Sequence, residues 1–365
     1  MKGLFIADFD FEDNKNRGIT NKVIGMYNSF INNNIEMDLF YQKNIYFRLK
    51  KMNEDIEIIN CSRYDKYKFL LENILQNEYN FIFIRYILSN YFFIEFLMKV
   101  KEINPDIKII LEFPTLPYDK EIKNQRILSE DKYFREFLKE SADYAVVYNN
   151  IKEAFGIGAL FIGNGIEITG KSILNYKKIN TSKIVIIGVG NISIWHGYDR
   201  VILGIHKYLK DNNQSNLEFQ IIGEGKEISN LIKLVHELKL EKNVKFLGHK
   251  SGIELQELYQ NADIAIGTLS RSRINMKDGS ALKNREYCVI GLPFIYSGID
   301  VDFDLKFKYA LNIEDSEEPV DINAAIEFIK DIKNDPSYIN NMRIYAEKHL
   351  DWNVKIKRIL NKIEM

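Results

Sequence analysis

Short runs of β-branched and aromatic residues alternate with longer amphipathic stretches along most of this chain, and that alternation constrains its fold more than anything else. LFIA at 4–7, MDLFY at 37–41, IEII at 56–59, FIFI at 81–84, IKIIL at 107–111 and YAVVY at 144–148 read as strands. Residues 19–33, 66–77, 91–103 and 121–140 read as helices between them. Such a β/α order predicts a mainly parallel sheet covered on both faces. Residues 163–182 break the pattern: GNGIEITG is turn-rich, and KSILNYKKINTS is polar without a period. A second run follows, with strands at KIVIIG, LEFQIIG, NVKFLG, DIAIG and LPFIY and helices at 197–210 and 226–239. The expectation is two doubly wound α/β domains facing a cleft, with ligands at the carboxyl ends of the strands. Residues 336–364 read as one or two helices around Trp352, packing on the second domain or crossing back to the first.

A length of 365 residues suits two such domains. Lysine and arginine total 50 against 51 acids, a net charge of -1, which argues against bulk nucleic-acid binding. The only cysteines, Cys61 and Cys288, lie far apart, so neither a disulfide framework nor a metal-ligand spacing is implied. MKGLFIADFDF reaches an acid after four apolar residues, too few for a signal peptide. No run approaches the roughly 20 apolar residues of a membrane span. A cytoplasmic protein is expected. YILSNYFFIEFLMKV reads as a core helix; the other reading makes Phe92, Phe93, Phe96 and Leu97 a peripheral contact with the inner face of a membrane.

IVIIGVGN resembles the start of a dinucleotide fingerprint but fails in detail. Gly188 and Gly190 are present, yet position 193 is serine, and no acid ends the next strand. No Walker pattern occurs. Even so, GVGN at 188–191, GEG at 223–225 and FLGH at 246–249 all follow strands. Gly190, Gly223, Gly225 and Gly248 would let backbone approach a ligand, or would simply make tight turns. Together they point toward a nucleoside-diphosphate site.

MKDGSALKNREY at 276–287 adds charge to that picture. The loop SRSRINMKDGS at 270–280, which runs into it, carries Arg271, Arg273, Lys277 and Asp278. A helix is expected from Ser280, which would cap it, leaving the first N–H groups to hold an anion. Lys283 falls in the first turn, the wrong end of a helix for a cation unless an anionic ligand lies nearby. Glu286 lies three residues on, where it would accept hydrogen bonds from ribose hydroxyls or pair with Lys283 on the surface.

The pattern Asp278, seven residues, Glu286, then Gly291-Leu292-Pro293 resembles the second-domain signature of GT-B glycosyltransferases of the family 4 type. NGI at 164–166, GNISIWHGYDRVILGI and DW at 351–352 are similar to further segments of that family. The resemblance implies two Rossmann-like domains, with residues 1–165 on the acceptor side, 166–345 holding the donor, and a C-terminal crossover helix at 346–365. It implies a nucleotide-sugar donor (UDP-, GDP- or dTDP-linked), a glycan or lipid-linked glycan acceptor, retention of anomeric configuration, and no metal or other cofactor. Surface polysaccharide assembly, as in capsule or lipopolysaccharide, is the implied setting. Glu286 would hold the ribose and Asp278 the sugar hydroxyls. The N–H groups of Gly279, Ser280 and Ala281 would face the sugar or diphosphate, and Leu247 and Gly248 would lie near the base. The family's usual arginine and lysine on the diphosphate correspond to Asn191 and His196, and a neutral imidazole is no permanent cation. Lys283 is the best substitute, with Arg200, Arg273 and Lys277 behind it.

On the acceptor side the candidates are Arg17 and Gly18 in the first loop, Arg85 at a strand end, and Glu112 at another strand end before Pro114 and Pro117. Glu112, Asp10 and Asp13 are the acids available to position an acceptor hydroxyl. No histidine precedes His196, so the family's first-domain histidine is missing. Two rivals share the fold: a nucleotide-sugar epimerase, and a non-catalytic sugar-nucleotide binder that would explain Asn191 and His196.

Overall fold

The computed structural model describes residues 1–51, 54–58, 63–177, 183–211, 217–303 and 306–364; Cys61 and the last residue of IEII lie outside them. The chain forms two compact units, one of residues 1–167 and 352–365, the other of residues 168–351.

The first unit is built on β1 (Lys2–Asp10), β2 (Glu36–Lys43), β3 (Tyr46–Lys50), β4 (Asp55–Ile58), β5 (Phe81–Arg85), β6 (Lys108–Glu112), β7 (Tyr144–Val147), β8 (Glu153–Ala154) and β9 (Ile157–Phe161). Their order is β4-β3-β2-β1-β5-β6-β7-β9-β8. The central strands are parallel, while β2–β3–β4 and β8–β9 pair antiparallel. The antiparallel hairpin at YFRLK was not expected from the alternation. Strand order reverses between β1 and β5. Helices α1 (Arg17–Asn32), α2 (Arg63–Gln76), α3 (Tyr91–Ile103) and α4 (Gln125–Phe134) connect the strands. The helix expected over 121–140 is broken: α4 gives way to a 3₁₀ segment at Arg135–Glu140. Phe93, Phe96 and Leu97 are buried, as a core helix requires, and Phe92 is exposed.

The second unit contains β10 (Ile184–Val189), β11 (Leu217–Ile222), β12 (Val244–Gly248), β13 (Ile264–Ile266), β14 (Asp278–Gly279), β15 (Phe294–Ser297), β16 (Ile299–Asp300) and β17 (Ala310–Ile313). Six run parallel in the order β12-β11-β10-β13-β15-β17, and β14 pairs with β16 in a small separate ladder. This is the Rossmann order, which reverses between β10 and β13. Helices α5 (Tyr198–Asp211), α6 (Ile228–Glu237), α7 (Gly252–Asn261), α8 (Leu282–Ile290), α9 (Ile322–Lys333) and α10 (Tyr338–His349) belong to it. Gly291 ends α8 with φ 81°, where Ile339 of α10 leaves no room for a Cβ.

The last helix, α11 (Trp352–Ile363), is part of the first unit. Trp352, Ile356, Ile359 and Leu360 join a core with Phe5, Val23, Met26 and Phe30. Each such buried side chain contributes about 1.5–3 kcal/mol. A Cβ on Gly165 would stand 2.4 Å from the Trp352 ring, and one on Gly25 3.0 Å. The glycine of NGI and the tryptophan of DW, far apart in sequence, are two halves of one contact.

Candidate active site

In the second unit the turns after β10, β11 and β12 are tied together through backbone. Gly190 N–H donates to Ile222 O at 3.0 Å, Ile192 N–H to Glu224 O at 2.6 Å, and Gly223 N–H to Gly248 O at 2.8 Å. A Cβ on Gly223 would lie 1.9 Å from Gly190 O, and one on Gly225 2.1 Å from Ile192 O. Those two glycines therefore have a packing reason: they let one loop lie on the next. Gly248 has φ 65° and open space where a Cβ would be. Leu247, half-buried, is the extra residue of a bulge, since Phe246 pairs with Ile221 and Gly248 with Ile222.

The woven loops present Gly190 to two side chains from other elements. A Cβ on Gly190 would lie 3.5 Å from Lys283 Nζ and 3.7 Å from His196 Nε2. The N–H of Ser193 donates to His196 Nδ1 at 2.9 Å, which leaves the proton of the neutral ring on Nε2. Burial, and secondarily the charge of Lys283, pulls the His196 pKa down to about 3. His196 is thus a neutral hydrogen-bond donor at ordinary pH. Burial also pulls Lys283 down to about 7, with the charge of Arg271 a lesser cause. Lys283 Nζ is 3.3 Å from Tyr198 Oη and, among the described residues, makes no ion pair. Asn191, where the family's usual arginine was sought, is exposed.

The segment leading into α8 is held from behind. Arg285 is fully buried and meets both oxygens of Asp300 at 2.6 Å, while Asn284 Nδ2 donates to Asp300 Oδ2 at 3.0 Å. Removing one partner of such a pair costs about 3–5 kcal/mol. Asp278 and Gly279 lie in β14 against the strand that carries Asp300. Arg271 is buried over Gly279, with Nη1 donating to Ile299 O at 3.1 Å. Ala281, rather than Ser280, takes the N-cap position, with no side-chain cap. Glu286 is half-exposed and 3.6 Å from Lys171, so the surface pair expected with Lys283 is not formed.

Two of the reserve cations are engaged elsewhere. Arg273 forks onto Asp199 at 2.9 and 2.7 Å and also binds Glu317. Arg200 donates to the carbonyls of Glu318, Leu269 and Glu314. Lys277 is exposed. The sequence reading named Arg271 only as one of the loop charges and passed over Tyr198, Arg285 and Asp300. Only their burial marks them, and neither spacing nor periodicity carries that signal.

In the first unit Arg85 and Glu112 come together. They face one another across β5 and β6, and Arg85 Nη1 donates to both Glu112 oxygens at 2.9 and 2.8 Å. Lys22 Nζ at 2.9 Å and Tyr148 Oη at 2.6 Å also bind Glu112 Oε1. Glu112 is wholly buried. Burial alone would raise its pKa, but Arg85, Lys22 and the Tyr148 hydroxyl hold it down to about 2. Lys22 falls to about 8, burial outweighing the attraction of Glu112. Asp10 accepts from the N–H groups of Glu12 and Asn44, and Asp13 from that of Lys15. Arg17 and Gly18 are exposed at the start of α1. Among the described residues no three His, Cys, Asp or Glu side chains gather as metal ligands would, and no helix is long and apolar enough to cross a membrane.

Comparison with known proteins fits this geometry. Residues 172–349 match the family described as glycosyl transferases group 1. No curated protein matches the sequence. HepE of Anabaena, solved with UDP, is similar in structure with a TM-score of 0.63 and 13% identity, covering 100% of each chain. A glycosyltransferase of Rickettsia africae gives 0.65 and 11%, covering 100% of this chain and 97% of that one. The lipopolysaccharide outer core galactosyltransferase WaaB gives 0.57 and 15%, covering 99% and 100%. The chain has the GT-B fold, and the match to the glycosyl transferases of group 1 falls within its second unit.

Proposed function

We propose that the protein transfers a sugar from a nucleoside-diphosphate sugar to a glycan or lipid-linked glycan acceptor, with retention of anomeric configuration. One observation carries this reading: Lys283, desolvated and without a carboxylate partner among the described residues, lies beside Gly190 and the Nε2 of His196 at the strand-order reversal of a Rossmann sheet. Lys283 is half-buried, and a cation held partly out of water without an ion-pair partner is relieved by an anion. The diphosphate supplies one, and it gains negative charge as the bond to the sugar breaks. Lys283 and the Nε2–H of His196 are assigned to it. Glu286 is assigned to the ribose, Asp278 to sugar hydroxyls, and the N–H groups of Gly279, Ser280 and Ala281 to the sugar or diphosphate. The base lies by Leu247 and Gly248.

In this reaction the acceptor oxygen bonds to the anomeric carbon as the carbon–phosphate oxygen bond breaks, and the acceptor proton leaves toward the departing phosphate on the same face. The first unit binds the acceptor, with Arg17, Gly18 and Arg85 on that side. Glu112 acts as a positioning group rather than a base: it is closed to solvent and already has two cations and a hydroxyl on it. The cytoplasmic setting and the role in surface polysaccharide assembly rest on the family resemblance; HepE was solved with UDP-glucose, which makes UDP donors the first to test.

The test is mass-spectrometric turnover with UDP-, GDP-, dTDP- and ADP-sugars and mixed sugar acceptors, for wild type and Glu286→Ala in parallel. Transfer or donor hydrolysis with one nucleotide, lost in the variant, is the expected result. Binding without turnover under every acceptor would favour a non-catalytic binder. No binding of any nucleotide would overturn the donor site.

A further inference from the structure

The first unit holds a cavity of about 410 Å³ at the carboxyl ends of β1, β2 and β5, where its own strand order reverses. Its lining combines the rings of Phe47, Phe93 and Phe96 with the charges of Asp8, Lys66 and Arg85 and the polar groups of Gln42, Ser89 and Asn90. Apolar lining reaches the surface, because Ile87 and Ile127 both line the cavity and are 50% and 40% exposed.

Apart from the exposed Glu130, the charges at the cavity do not cancel. Lys66 is paired with Asp8. Behind the wall, the single carboxylate of Glu112 faces two cations, Arg85 and Lys22. One positive charge is left over, and Arg85 is the member that reaches the cavity. Only its Nη1 is engaged by Glu112, so Nε and Nη2 keep donors for another acceptor. Glu130 also lines the cavity but is exposed, where its charge is screened by water.

We propose that this cavity binds an anionic amphiphile, with a phosphate or carboxylate on Arg85 and hydrocarbon against Phe47, Phe93 and Phe96. Naming that ligand as the acceptor class rests on the glycosyltransferase reading; the binding site itself does not. A guanidinium fork suits either anion, since both present two oxygens in a plane.

The experiment is calorimetric titration of the full chain with octyl phosphate, octanoate, octyl glucoside and inorganic phosphate, each below its micelle-forming concentration. Octyl phosphate or octanoate should bind about tenfold or more tighter than both octyl glucoside and inorganic phosphate; which of the two wins identifies the anion. Arg85→Gln should abolish that preference. Should that variant unfold because Glu112 loses a partner, Ile127→Glu, at a half-exposed helix position, should weaken the anionic amphiphile about tenfold through like-charge repulsion at the mouth. Equal binding of octyl phosphate, octanoate and octyl glucoside, or no binding of the first two, would overturn the proposal. A UDP titration of the same wild-type sample separates the two readings. UDP binding without amphiphile binding sinks this inference alone, and amphiphile binding without that of any nucleotide sinks only the donor site.

Discussion

Both units gather charge at the same place, the edge where a parallel sheet reverses its strand order, yet they treat it in opposite ways. In the first unit Glu112 is buried among Arg85, Lys22 and Tyr148, and the cluster largely satisfies itself. In the second, Lys283 is desolvated with only a tyrosine hydroxyl and a neutral histidine beside it. A buried carboxylate paired by its own chain contributes to stability and is lost expensively. An unpaired cation contributes nothing to stability until a ligand arrives. The same fold position therefore carries a carboxylate paired within the chain in one unit and a cation without a carboxylate partner, among the described residues, in the other.

Mutations should pull the two clusters apart. Glu112→Ala strands two buried cations and should cost about 3–5 kcal/mol, read as a lower denaturant midpoint, with Glu112→Gln between it and wild type. Lys283→Met should behave oppositely. Its apo stability should stay level or rise, while affinity for the nucleoside diphosphate falls by about 1.5–3 kcal/mol, roughly ten- to a hundredfold, in a calorimetric titration. A Lys283→Met variant that lost stability as Glu112→Ala does would erase the contrast.

The pH dependence of stability sharpens it further. Glu112 titrates at about 2 in the folded protein against 4.5 ordinarily, so its contribution is full above about 4.5 and is lost as pH falls through 2. Lys283 titrates at about 7 against 10.5, so the unfolded chain binds the extra proton between those values. Its penalty is full below 7 and fades as pH rises toward 10.5. Denaturant midpoints across pH should show an acid limb reduced in Glu112→Gln. The rise above neutrality should be reduced in Lys283→Met, with Lys22, near 8, supplying what remains.

The smallest effect belongs to His196. Replacing it with alanine removes one neutral donor and should weaken nucleotide binding by about 0.5–1.5 kcal/mol. His196→Lys, which restores the family's usual cation, should lose less than alanine at low salt.

What the sequence disclosed follows from which signals are local. Strand and helix alternation is local, so both sheets and most of their helices were readable, as was the Asp278–Glu286 spacing. YFRLK was missed because a short antiparallel hairpin carries no alternation with a helix. Gly223 and Gly225 were read as ligand-facing because a glycine's sequence position does not show the carbonyl 2 Å from its missing Cβ. The role of Glu112 was hidden for the same reason: Lys22 and Tyr148 come from a helix and a strand far away in sequence. Lys283 could be singled out because its position in a helix's first turn is wrong for a cation, and that mismatch can be seen without coordinates.

The most direct test of the central claim is proton uptake on nucleotide binding. The tightest-binding of UDP, GDP, dTDP and ADP would be titrated by calorimetry at about pH 7.5, just above the free Lys283 value, in two buffers of different ionisation enthalpy. A diphosphate on Lys283 restores its charge, so wild type should take up a substantial fraction of a proton that Lys283→Met does not. Binding with no uptake, or with the same uptake in Lys283→Met, would contradict the assignment of Lys283 to the diphosphate.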